Sequence, residues 1–145
     1  MKKIFLIILA VLVLFGSTGC ARTQNKNSVI EIRERMFLGQ VDDIYKNSQD
    51  YLGRKIKLEG IFLRDRYTTG ETFYSVIRYG LGGCCGNDGQ VGFEVAWPDN
   101  NRQTYPEDNS WVEVMGELKR NRSWLYIELS SIIVKLDRGL EYVTQ

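Results

Sequence analysis

The sequence contains no histidine in 145 residues. That excludes histidine acid–base catalysis, Ser-His-Asp triads and His-ligated metal sites. It also lacks an apolar run long enough to span a bilayer. The candidate, residues 4–15, is 12 residues long, whereas a membrane-spanning helix needs about 20. Charge of one sign is missing too. The whole chain carries 19 basic and 18 acidic residues. Without Lys2 and Lys3, 17 basic residues stand against 18 acidic ones, a net −1. No basic excess remains to neutralise phosphates, so nucleic acid is not an expected partner. Cysteine is scarce, at three residues.

The N-terminus has the three parts that export requires. Lys2 and Lys3 form a positive end, residues 4–15 are apolar, and Gly16, Ser17, Thr18 and Gly19 lead into Cys20. Small residues at such a position mark a signal-peptide cleavage site. The ending Ser17-Thr18-Gly19-Cys20 resembles a bacterial lipobox, although Ser17 stands where a large aliphatic residue is usual. The resemblance implies a diacylglycerol on the Cys20 thiol and cleavage before Cys20. Membrane lipid becomes the first expected partner, and the outer face of the cytoplasmic membrane the expected location. Each buried methylene contributes about 0.8 kcal/mol, and a stable anchor takes more than one chain. Diacylation meets that condition. Two other readings are an ordinary signal peptide with an incidental cysteine and an uncleaved N-terminal anchor.

The expected organisation is a signal peptide over residues 1–19, a lipidated tether over 20–28 and one domain over 29–145. Residues 21–28 are polar and aperiodic, as a flexible tether is. Residues 29–35 alternate as a short strand. Residues 39–52 carry Val41, Ile44, Tyr45, Tyr51 and Leu52 at helical spacing, with Gly53 as the stop. Asn47 and Ser48 divide this stretch into two short pieces. From Arg54 the period becomes two. Strands are expected at 54–62, with a bulge or bend at Gly60, and at 73–79, 91–97, 111–118 and 124–136. The last places Leu125, Ile127, Leu129 and Ile133 on one face. Residues 65–70, 80–90, 99–109 and 119–123 read as connections. The expected fold is mainly β: a small five-stranded OB-like barrel with short helices, with an open sandwich as the alternative.

The unusual segment is residues 80–90, with five glycines in eleven positions. It holds Cys84, Cys85 and Asp88. If Cys20 carries lipid, Cys84 and Cys85 are the only thiols left. They make a poor structural disulfide. Neighbouring Cα atoms lie about 3.8 Å apart, and relaxed disulfides want about 4.4–6.8 Å. Thiolates are both metal ligands and nucleophiles. Two sulfurs and a carboxylate suit a thiophilic ion, with zinc as the candidate cofactor. Asp65, Glu94, Asp99, a backbone oxygen or water would complete a four-coordinate site. The alternatives are a thiol redox pair and two cysteines that merely pack as small apolar residues. Trp97, Trp111 and Trp124 read as core or barrel rim. Asp42 and Asp43 read as a solvated helix face, and residues 119–122 as a hairpin turn. No catalytic constellation is evident, and an enzyme is not expected.

Several stretches together resemble a known family. They are residues 30–37 followed by Asp43-Ile44-Tyr45, Asp50-Tyr51-Leu52-Gly53, residues 56–60, residues 74–79, the Cys84-Cys85-Gly86-Asn87-Asp88 segment, residues 91–95 and the C-terminal end. Over about residues 29–145 the chain is similar to the C-terminal domain of the YcgQ-like family, described as a subunit of a two-component membrane permease complex. The resemblance implies an extracytoplasmic OB-like domain, a membrane permease partner and a link to transition-metal handling. Members of that family usually begin with several membrane helices, where this chain has a lipid signal.

Replacing Cys20 tests the anchor. Wild-type protein is expected to incorporate labelled palmitate and to sediment with membranes, and Cys20→Ser to do neither. A variant that stays on membranes while the wild type takes no label would rule out lipidation.

Overall fold

Alternation of apolar and polar residues builds five long strands in the computed structural model, which describes residues 28–80, 89–99, 103–122 and 124–144. The strands are β2 (Lys55–Arg66), β3 (Thr72–Gly80), β4 (Gly89–Ala96), β5 (Trp111–Asn121) and β6 (Trp124–Val134). Two-residue strands β1 (Ile30–Glu31) and β7 (Tyr142–Val143) and one helix, α1 (Phe37–Lys46), complete the regular elements. Pairing runs β2–β5–β6–β4–β3 and returns to β2, so the sheet closes on itself. Within the ring only β4 and β6 are parallel. This is the five-stranded Greek-key barrel of an OB-fold. It replaces the open-sandwich alternative.

Closure depends on β2 serving two neighbours. Its first half, Lys55 to Ile61, pairs with β5, and Ile61 to Arg66 pairs with β3. Gly60 sits at the handover. A Cβ there would lie 2.5 Å from the Ile77 carbonyl oxygen, so the crossing is as close as a glycine allows. The register at Gly60 is unbroken. The bulge falls instead opposite Met115 and Gly116, where Met115 pairs with Ser131 and Gly116 with Leu129. Ser130 is the extra residue, and its hydroxyl donates to the Met115 carbonyl at 2.9 Å. One inserted residue swaps the faces of everything beyond it. Leu125, Ile127 and Leu129 are therefore buried as expected, but Ile133 is 53% exposed and Ile132 packs against the core in its place.

Helix α1 covers one end of the barrel with Phe37, Val41 and Ile44, all buried. Tyr45 stacks on Phe93 with ring centroids 5.2 Å apart, and its hydroxyl donates to the Gly92 carbonyl at 3.0 Å. The helix ends at Lys46 and a 3-10 turn, Ser48–Asp50, follows, as Asn47 and Ser48 suggested. Gly53 then turns the chain with a φ of +77°, a conformation that costs glycine little. Asp42 pairs with Lys46 on the solvated side, while Asp43 accepts from Tyr51 and Asn47. Residues 119–121 extend β5 rather than turn, which narrows the β5–β6 connection. No helix among the described residues is long and apolar enough to cross a membrane.

One buried cation ties the ends of the chain to the barrel. Arg78, on β3, is 2% exposed. Its guanidinium donates to the Glu59 carbonyl at 2.9 Å, to the Leu140 carbonyl at 3.0 Å and to the Glu34 carboxylate at 3.0 Å. It lies 4.9 Å from the Trp111 ring centroid and 5.1 Å from that of Phe37. Glu34 in turn accepts from the Leu140 amide at 2.9 Å. That backbone hydrogen bond, followed by Arg78, holds the Glu34 carboxyl below its ordinary pKa of 4.5.

Arg78→Leu is expected to cost about 3 kcal/mol, because charge-assisted hydrogen bonds and the buried acceptors they satisfy are lost together. Denaturant midpoints measure this. Hydrogen exchange should show the β3–β7 pairing opening first. The lowered Glu34 pKa gives stability that is present above the ordinary carboxylate range and is lost as pH falls through the folded pKa. Glu34→Gln should flatten that acid limb. An unchanged midpoint in Arg78→Leu would contradict the assignment.

Candidate functional site

The concave surface richest in chemistry lies where the β2–β3 connection and the β5–β6 hairpin flank the end of β4. It is a cleft of about 410 Å³. Tyr67 comes from the connection, Phe73 and Tyr74 from the start of β3, and Trp97 and Tyr105 from the segment after β4. Trp124 and Tyr126 come from the start of β6. These seven aromatic residues are brought together by closure of the barrel, because β4 pairs in parallel with β6 at Glu94–Tyr126. In an OB-fold this face and these two connections are where ligands are taken.

The rings form two groups. Tyr67 stacks on Phe73 at 4.4 Å and meets Trp124 at 5.9 Å. Tyr74 stacks on Tyr105 at 3.7 Å, and both lie over Phe62 beneath them. Trp124 is 38% exposed and stands at the rim, while Trp97 is 9% exposed and belongs to the core. Trp111 is buried elsewhere, with Ile61 and Ile77. The expectation of core or rim holds for all three tryptophans. The Trp97 indole nitrogen is buried and has no hydrogen-bond partner among the described residues.

The polar lining is acidic: Glu71, Glu94, Asp99 and Glu128. Tyr67 donates its hydroxyl to Glu94 at 2.6 Å. Burial pushes the Tyr67 pKa well up, and the hydrogen bond to Glu94 and its charge push the same way. Tyr67 therefore stays a donor at any physiological pH. Burial likewise raises the Tyr105 pKa, partly offset because its oxygen accepts from the Trp97 amide at 3.1 Å. Lys119 pairs with Glu128 at 2.5 Å.

Cys20, Cys84, Cys85 and Asp88 lie outside the described residues. Gly80 and Gly89, which flank the last three in sequence, pair at the close of the β3–β4 ladder. From Tyr74 to Gly80, β3 advances six residues, about 20 Å at the rise of a strand, so the Gly80–Gly89 pair lies far from the cleft. Of the proposed extra ligands, Glu94 is engaged by Tyr67, and Asp65 accepts from the Arg66 amide at 2.7 Å. Among the described residues no three His, Cys, Asp or Glu side chains gather to hold a metal ion. Sequence reasoning missed the cleft. Its signal was present only as aromatic residues at the ends of four different strand segments.

Exchanging one carboxylate tests the Tyr67–Glu94 contact. In Glu94→Gln the phenol should ionise at a lower pH, measured by tyrosinate absorbance. An unmoved alkaline titration would show that burial alone sets it.

No curated protein matches this sequence. Two solved structures are similar at low identity. One is a replication protein A heterotrimer bound to ssDNA, at 21% identity and a TM-score of 0.36, over 59% of this chain and 60% of that one. The other is the second OB-fold domain of replication protein A from Methanococcus maripaludis, at 14% identity and a TM-score of 0.32, over 62% of this chain and 89% of that one. The sequence model of the DUF1980 C-terminal domain matches residues 17–136, which take in the double-cysteine segment and all five barrel strands, and the chain belongs to that family.

Proposed function

We propose that this chain is a lipid-anchored, non-enzymatic binding domain. Cys20 would hold it at the outer face of the cytoplasmic membrane, and the cleft between the two connections would receive a small ligand. The observation that carries the reading is the cleft itself. Seven aromatic residues and four carboxylates from distant parts of the sequence line about 410 Å³ of concave surface. Small-ligand sites fall in the range of about 300–1,000 Å³ and combine apolar walls with a few polar groups. Indole is a suitable neutral probe. Added to the full chain in detergent, it should shift amide resonances of the cleft residues, and Trp124→Ala should weaken those shifts. Shifts elsewhere, or none, would remove the cleft from the function.

A second reading concerns the opposite end of β3 and β4. Cys84, Cys85 and Asp88 would capture a thiophilic metal ion, zinc foremost, or shape contact with a membrane permease subunit. Two thiols and a carboxylate within the eight residues that separate the paired Gly80 and Gly89 in sequence support this. A chain without histidine has few other soft donors. A thiol redox pair uses the same residues and predicts a reversible Cys84–Cys85 bridge instead. Zinc titration of the wild type against Cys84→Ser/Cys85→Ser separates these. Loss of binding in the double variant supports capture, and equal uptake by both proteins ends it.

A further inference from the structure

We propose that the ligand of the cleft is a small organic cation: an ammonium or guanidinium group carried on a flat, apolar body. This rests on the cleft being the ligand site and adds the class of molecule it takes. The first argument is charge. Glu71, Glu94, Asp99 and Glu128 line the cleft, and among the described residues its lining includes no lysine or arginine. Lys119 is paired with Glu128 at 2.5 Å. The lining therefore keeps an excess of negative charge.

The second argument is the aromatic wall. Ring faces attract cations through their quadrupoles, most strongly for tryptophan. One lining ring already meets a cation from outside the cleft lining, since the Arg64 guanidinium lies 5.6 Å from the Tyr74 ring centroid. Trp124 stands exposed at the rim beside Tyr67. A ring on the ligand would find aromatic neighbours there, and its charge would find carboxylates.

The third argument is what the same surface refuses. Proteins that bind single-stranded nucleic acid on aromatic platforms pair them with a basic groove that follows the phosphates. Here the aromatic platform is present and the basic groove is replaced by carboxylates. A phosphate, sulfate or carboxylate ligand would meet like charge from the four carboxylates among the described lining residues.

The test holds the ring constant and changes the charge. Tryptamine (+1), indole (neutral) and indole-3-acetate (−1) are titrated into the full chain in detergent, and amide shifts of the cleft residues are followed. Tryptamine should bind about tenfold tighter than indole, the scale of one favourable cation contact, and indole-3-acetate more weakly than indole. Added salt should narrow the difference. Glu71→Gln/Asp99→Asn, at two exposed positions, should narrow it as well. If indole binds and tryptamine gains nothing, or indole-3-acetate binds tightest, the cation inference falls and the cleft reading stands. If none of the three moves the cleft resonances, both fall.

Discussion

A single guanidinium organises the termini of this domain. Arg78 leaves β3 into a space between Phe37 at the start of α1 and Trp111 at the start of β5. An unpaired charge there would be expensive. It is tolerated because three acceptors from three separate parts of the chain converge on it: Glu34, the Glu59 carbonyl and the Leu140 carbonyl. Removing one partner strands the others. The same geometry sets where the N-terminal segment meets β2 and where the C-terminal segment turns to place β7 beside β3. Gly139 is pressed into this contact, since a Cβ there would lie 2.8 Å from the Glu34 carboxylate and 3.0 Å from the Trp111 ring.

With that end secured, the barrel has room for function on its other side. Helix α1 fills the end near Gly80, where Leu38 lies 3.2 Å from the position of a Cβ. The β2–β3 connection and the β5–β6 hairpin are left to frame the cleft. Close crossings make the ring small enough for this. A Cβ on Gly92 would lie 2.0 Å from the Val76 oxygen, and one on Gly116 would lie 2.2 Å from the Glu128 oxygen. Side chains at these two positions would push β4 from β3 and β5 from β6. The Glu94–Tyr126 register that gathers the aromatic residues would go with them.

The strands were legible because each has one buried face and therefore a period of two. The error at Ile133 has a local cause. Ser130 is inserted into β6, and an inserted small polar residue leaves the run Leu129 to Val134 reading as one continuous strand. β7 escaped notice because two residues carry no periodicity. Arg78 escaped because a lone arginine inside an alternating strand reads as solvent-facing, and its acceptors lie 19, 44 and 62 residues away. The cleft was hidden for the same reason. Tyr67, Tyr105 and Trp124 are each unremarkable near a turn, and only barrel closure makes them neighbours. The cysteine segment was the opposite case, conspicuous in sequence because its residues are contiguous.

Aromatic residues on an OB face do not by themselves indicate nucleic acid. Stacking is available to any flat ligand, so the sign of the surrounding charge decides which one is admitted. On this face the hydroxyl of Tyr67 is committed to Glu94 as a donor. Glu71 lies just before β3 and Asp99 shortly after β4. Glu94 and Glu128 belong to β4 and β6, whose parallel pairing places Glu128 beside Ala96. Preorganised charge of this kind loses little on binding. A fold often associated with phosphate-bearing ligands thus carries here, among its described cleft residues, four carboxylates.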